Sequence, residues 1–144
     1  MLDESARSFL QRQRVAHLAT ADAAGAPHVV PVCFALLAGT IYIAIDQKPK
    51  QADPRALRRL RNIEVNPRVA IVADEYDEDW SQLGFVLVRG RAQLVEEAQE
   101  RARALGALRQ KYPQYTSMAL EERPLIGIEV QRVTVWGTAA HAGP

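Results

Sequence analysis

The chain has one cysteine, Cys33, in 144 residues, so no disulfide can join two parts of it. That usage suits a reducing compartment, and a cytoplasmic location is expected. Aromatic residues make up only 6% of the sequence, too few for the stacking platforms that single-stranded nucleic acids need. The formal charge is +1, which gives no bulk attraction to nucleic acid or membrane. No apolar run is long enough to cross a bilayer. Met1-Leu2-Asp3-Glu4-Ser5 shows no basic region leading into an apolar run, so no signal peptide is expected. The three histidines, His17, His28 and His141, lack metal-ligand spacing and cysteine support, and no metal is expected. A G-x-S-x-G elbow, a Walker loop and a G-x-G-x-x-G turn are all missing. Cys33 lies in an apolar stretch and reads as a packed small residue, not a nucleophile. The run Asp77-Glu78-Asp79 lacks the spaced ligands and glycine of a calcium loop and reads as solvated. Hydrolysis by acid–base, nucleophilic or metal-assisted chemistry thus has no support, and no catalytic side chain can be named.

What is present is an ordinary globular composition, 48% hydrophobic and 24% charged. Residues 1–144 read as one domain, large enough to bury about 68–70% of its unfolded surface. Its charge is unevenly placed. From Lys48 to Arg68 there are seven basic and two acidic residues, a balance of +5, against −4 elsewhere. The segment follows an apolar strand and predicts a helix with Asp53 as N-cap and Pro54 in the first helical position. At 100° per residue Leu57, Leu60 and Ile63 share one side, and Arg55, Arg58, Arg59 and Asn62 the other. That polar side is either a solvated helix face or an anion site. Lys48 and Lys50, at the N-terminal end, favour the anion site because the helix dipole acts there.

The remaining pattern is mostly strand. A short helix is predicted over 3–13 and strands over 15–20, 28–37 and 40–46, with Ala38-Gly39 as a tight turn. The basic helix covers about 54–65, and Asn66-Pro67 ends it. Strands follow at 68–74 and 85–95, with Gly90 as a bulge or bend, then a helix over 96–111 and a last strand over 126–136. Six strands opening with antiparallel hairpins indicate a small antiparallel barrel with flanking helices. Pro31 cannot donate to a ladder. Its strand is therefore an edge, or it faces something other than a strand, such as a bound ring.

Several segments, in order, carry a family resemblance. They are His17-Leu18-Ala19-Thr20, Pro27-His28-Val29-Val30-Pro31-Val32, Asp46-Gln47-Lys48-Pro49-Lys50, Leu57 to Ile63, Asn66-Pro67-Arg68-Val69-Ala70, Asp74 to Ser81 and Val88-Arg89-Gly90-Arg91-Ala92. In these the chain resembles the split β-barrel oxidoreductases related to pyridoxamine 5′-phosphate oxidase, most of all the actinobacterial branch of coenzyme F420-dependent enzymes. The resemblance implies a six-stranded split barrel and a homodimer with two cofactor sites at the subunit interface. It implies that Lys48, Lys50, Arg55, Arg58 and Arg59 hold the phosphate and acidic tail of the cofactor. Val30, Pro31 and Val32, with Ala44, Ile45 and Asp46, would lie against its ring, and Trp80 would approach from the partner subunit. Some relatives bind FMN instead. A +5 segment exceeds what one phosphate needs, which favours the deazaflavin with its polyglutamate tail. The implied reaction is hydride transfer to a small electron-poor acceptor, such as a quinone, an enone or a tetrapyrrole. An FMN-dependent oxidase or reductase and a non-enzymatic carrier of cofactor or tetrapyrrole are the alternatives.

Overall fold

The structure is a computed structural model that describes residues 2–46 and 57–141. Its elements are α1 (Glu4–Arg12), β1 (Ala16–Ala21), β2 (Pro27–Val32), β3 (Ala35–Leu37), β4 (Thr40–Ala44), α2 (Arg58–Val65), β5 (Arg68–Glu75), β6 (Gly84–Leu94), α3 (Ala98–Lys111) and β7 (Leu125–Gly137). The strands form one sheet in the order β2-β1-β5-β6-β7-β4-β3, and every neighbouring pair is antiparallel. No helix among the described residues is long and apolar enough to cross a membrane.

The two edges of this sheet, β2 and β3, are joined by only Cys33 and Phe34. Laid flat, seven strands would hold their edges roughly 29 Å apart at about 4.8 Å per spacing. The three steps from Val32 to Ala35 reach about 11 Å at most. The sheet must therefore curl until its edges meet, and it does so as a split barrel. The interior is filled by alternate residues of nearly every strand, among them Leu18, Ile41, Ile43, Ile71, Val86, Val88, Ile126 and Ile128. Phe9 and Leu10 of α1 and Leu60 and Ile63 of α2 complete that core. Outside, Ala104, Leu105 and Leu108 of α3 pack with Ala35 of β3, Tyr42 of β4 and Leu125 of β7 in a second cluster. This explains why β4 is buried on both faces.

Local signals behave as their chemistry dictates. Asp3 caps α1 by accepting from the Ala6 N–H at 2.8 Å. Ala38 and Gly39, at φ 51° and 85°, make the two-residue turn between β3 and β4. Gly90 marks a register shift between β6 and β7, and a Cβ there would lie 2.2 Å from the Glu129 carbonyl oxygen.

Three expectations change. The barrel has seven strands, not six, because the stretch 28–37 breaks at Cys33-Phe34 as it leaves β1 and joins β4. At the break the backbone of Phe34 has no ladder, and the Tyr112 hydroxyl replaces it. That oxygen accepts from the Phe34 N–H at 3.1 Å and lies 2.8 Å from the Arg14 carbonyl and 3.1 Å from that of Phe34. Second, α2 opens at Arg58 with Leu57 as an N-cap that makes no side-chain bond. The expected start at 54, with Asp53 and Pro54, lies outside the described residues. Third, Asn62 is not on a solvated face. It is buried and donates to the Thr20 Oγ1 at 3.0 Å, which fastens α2 to β1.

Replacing Tyr112 by Phe leaves the buried Phe34 N–H without an acceptor, a loss of about 1–3 kcal/mol. A urea titration should show that loss with an unchanged m-value, and a loss under about 0.5 kcal/mol would mean the clasp is idle.

Candidate functional site

The seam of the barrel is also where its edge strand turns away, and a cleft of about 330 Å³ opens there. One wall is Val15 with Val30, Pro31, Val32 and Cys33. The other is the end of β4, Ile43, Ala44 and Asp46, with Arg59 from α2 and Tyr115 from the turn after α3. That volume falls within the range of small-molecule sites, about 300–1,000 Å³. Pro31 stands on an edge strand, as one reading of its sequence expects, and it also lines the cleft.

Arg59 is the cation of the cleft among the described residues. Its Nε is buried and finds no hydrogen-bond partner among them. Burial pulls the guanidinium pKa down, and the charge of nearby Asp46 opposes that pull. Asp46 is itself held by its backbone, since Arg123 Nη1 donates to its carbonyl at 2.6 Å. A half-buried cation with a spare donor and strand residues of apolar type around it suits an anion attached to a flat apolar group.

Behind the cleft, Lys111 Nζ lies 3.7 Å from the centroid of the Phe34 ring and donates to the Leu10 carbonyl at 3.3 Å. The Arg14 guanidinium sits over the Tyr112 ring at 4.7 Å. Burial, aided by the Arg14 charge, lowers the Lys111 pKa to about 8, while Cys33 opposes the shift. Tyr115 is pushed well above the ordinary phenol range, first by burial and then by Cys33 and Asp46.

The structure brings together Val30, Pro31, Val32, Ala44, Asp46 and Arg59 of the residues singled out in the sequence. Ile45 does not join them: it is fully buried among the barrel core residues. Arg58 is exposed on α2 and lies outside the cleft lining. Trp80, in the turn between β5 and β6, is 72% exposed and does not line the cleft of its own chain. Lys48, Lys50 and Arg55 lie outside the described residues. Sequence reasoning missed Val15, Ile43 and above all Tyr115, which follows a helix and a proline and carries no motif. Cys33 packs against the second cluster as expected, but it also borders the cleft.

A curled antiparallel sheet with a cleft at its seam defines a split β-barrel. The chain belongs to the pyridoxamine 5′-phosphate oxidase family, whose sequence profile matches residues 2–137. Solved structures agree on the fold. The conserved hypothetical protein Rv2991 from Mycobacterium tuberculosis superposes with a TM-score of 0.78 at 22% identity, over 100% of this chain and 89% of that one. The haem storage protein HutZ from Vibrio cholerae gives 0.71 at 20% identity, over 93% and 94%. An FAD-binding protein from Mesorhizobium loti gives 0.67 at 22%, over 89% and 88%. At such identities the likeness is one of fold. No curated protein sequence matches the chain significantly.

Lys111 makes a prediction about pH. Its folded-state pKa, about 8, lies below the ordinary 10.5. Between those values the unfolded chain holds a proton that the folded chain has lost, so stability rises with pH. The raised pKa values of Tyr112 and Tyr115 reverse the trend above about pH 10. Thermal melts should therefore climb from pH 8 towards 10, and Lys111→Met should flatten the climb.

Proposed function

We propose that the chain is a coenzyme F420-dependent oxidoreductase that works as a homodimer and reduces a small electron-poor organic acceptor. The observation that carries the reading is the seam cleft, where the Arg59 Nε, without a partner among the described residues, meets the apolar residues of β2 and β4. The excess of positive charge from Lys48 to Arg68 favours a cofactor with several anionic groups over one with a single phosphate. In this reading Val30, Pro31, Val32 and Ala44 hold the ring, and Arg59, Lys48, Lys50, Arg55 and Arg58 hold the anionic parts. When bound, the reduced deazaflavin supplies a hydride. The chain's own part is to bind, orient and keep water out of the cleft.

The dimer has support on the outer face of the sheet. Outward residues there are apolar where a solvated strand would be polar: Val29 is 60% exposed and Trp136 51%, the latter stacked on Phe85 at 5.8 Å. Trp80 adds a third large exposed group, available to a partner's cleft as the family resemblance implies.

A second reading is a tetrapyrrole carrier. Cys33 and Tyr115 border the cleft, and both side-chain types can ligate haem iron. The haem storage protein HutZ shares the fold. An FMN-dependent enzyme is the third, with Arg59 taking the phosphate.

The test is a titration with F420, FMN and haem side by side. F420 should bind most tightly, and its affinity should fall as salt rises. Equal or tighter FMN or haem binding at low salt would reverse the reading. Arg59→Ala and Lys50→Ala should each weaken F420 binding roughly 10- to 100-fold, since a charge-assisted bond is worth about 1.5–3 kcal/mol. Arg61→Ala, on an exposed side chain outside the cleft, should cost less. Unchanged binding in all three variants would make the arginine side a solvated helix face.

A further inference from the structure

Tyr115 is a buried phenol, 5% exposed, on the wall of the seam cleft. The Cys33 side chain is the hydrogen-bonding neighbour of the Tyr115 hydroxyl, whereas the Tyr112 hydroxyl beside it is fully engaged with backbone groups at the strand break. A thiol is a weak acceptor, so an acceptor oxygen from outside the chain is the stronger complement for a phenol on the cleft wall.

The surroundings fix this phenol in place. Its ring meets that of Tyr112 edge-on at 5.6 Å. The Tyr115 N–H donates to the Tyr112 carbonyl at 2.9 Å, and Arg109 Nε donates to the Tyr115 carbonyl at 3.2 Å. Arg109 is in turn paired with Glu121 at 2.6 Å. The Cys33 thiol and the Asp46 carboxylate, both on the cleft wall, and the Tyr112 phenol are the charged or titratable groups near the hydroxyl. Their presence and burial keep the phenol protonated far above neutral pH. Other donors on the described wall are few. Pro31 has no N–H, and Arg59 is the cation that Asp46 faces.

We propose that Tyr115 is a catalytic hydrogen-bond donor to the oxygen of the acceptor, selecting carbonyl acceptors such as quinones and enones. This rests on the oxidoreductase reading above. Hydride transfer adds two electrons and one hydrogen to the acceptor, and the displaced π electrons settle on its oxygen. The cofactor is oxidised and the acceptor reduced. A fixed neutral donor stabilises that oxyanion, and a solvent proton then completes the alcohol or quinol. Tyr115 keeps its own proton throughout.

The experiment compares the parent with Tyr115→Phe on two acceptors at saturating reduced F420. A 1,4-quinone develops an oxyanion, and an N-methylacridinium cation does not. With the quinone, kcat should fall 10- to 100-fold, while with the acridinium it should stay within twofold. F420 affinity should also stay within twofold. Equal losses on both acceptors would mean a structural role, and no loss on either would mean no role. A second arm needs no turnover. The parent should bind 4-nitrophenolate, and Tyr115→Phe should bind it at least tenfold more weakly. Equal binding, or none by the parent, overturns the proposal. A parent that binds the phenolate through Tyr115 but binds no F420 would sink the cofactor reading alone.

Discussion

Two residues, Cys33 and Phe34, set the shape of this protein. They join the first and last strands of a seven-stranded sheet. A link that short cannot cross a flat sheet, so closure is imposed by covalent reach and not left to side-chain packing. The cost of the link falls on the Phe34 backbone, which leaves one ladder before it joins another. Tyr112, at the end of α3, meets that cost with a single hydroxyl. Helix α3 therefore does more than cover the outside of β3 and β4. It also supplies the polar group that makes the strand break tolerable in a buried place.

The site follows from the same break. Where β2 turns away, its side chains no longer face a neighbouring strand, and space opens between the two edges of the sheet. The residues bordering that space are apolar because they belong to strands. The polar ones come from beyond the strands: Asp46 from the residues after β4, Arg59 from α2 and Tyr115 from the turn after α3. The last two are each held by a separate anchor. Asn62 bonded to Thr20 fixes α2, and Arg109 grips the Tyr115 carbonyl. The cleft thus carries a cation and a neutral phenol among apolar residues. That is what a site needs if it is to orient a flat ligand and act on it.

The outer face of the sheet bears on the same function. Trp136, Trp80, Val15 and Val29 are exposed large apolar groups, and Phe85, stacked on Trp136, is partly so. Such residues are tolerated singly, but several of them on one sheet suit a surface that a partner covers. In the proposed dimer a second copy of the chain would be that cover, and it would bring an aromatic group to a cleft lined by none from β2 or β4 of its own chain.

Most of the elements were legible in the sequence because their causes are local. Alternation placed the strands, Asp3 started α1, Gly39 made the hairpin turn and Gly90 the bulge, each within a few residues of the expected position. Val30, Pro31, Val32 and Ala44, which the family resemblance implies for a cofactor ring, do border the seam cleft. What local reasoning could not reach were contacts between residues far apart in the chain. Phe34 and Tyr112 are 78 positions apart, yet their bond splits one expected strand in two. Thr20 and Asn62 are 42 apart, yet their bond turns a residue of the expected solvated face inwards. Tyr115 carries no motif and reaches the cleft only because α3 lies across the seam. The sequence by itself determined which stretches become strands and where charge collects, since both depend on neighbours along the chain. Only the tertiary structure decided which polar groups meet at the seam, because that depends on how the sheet closes.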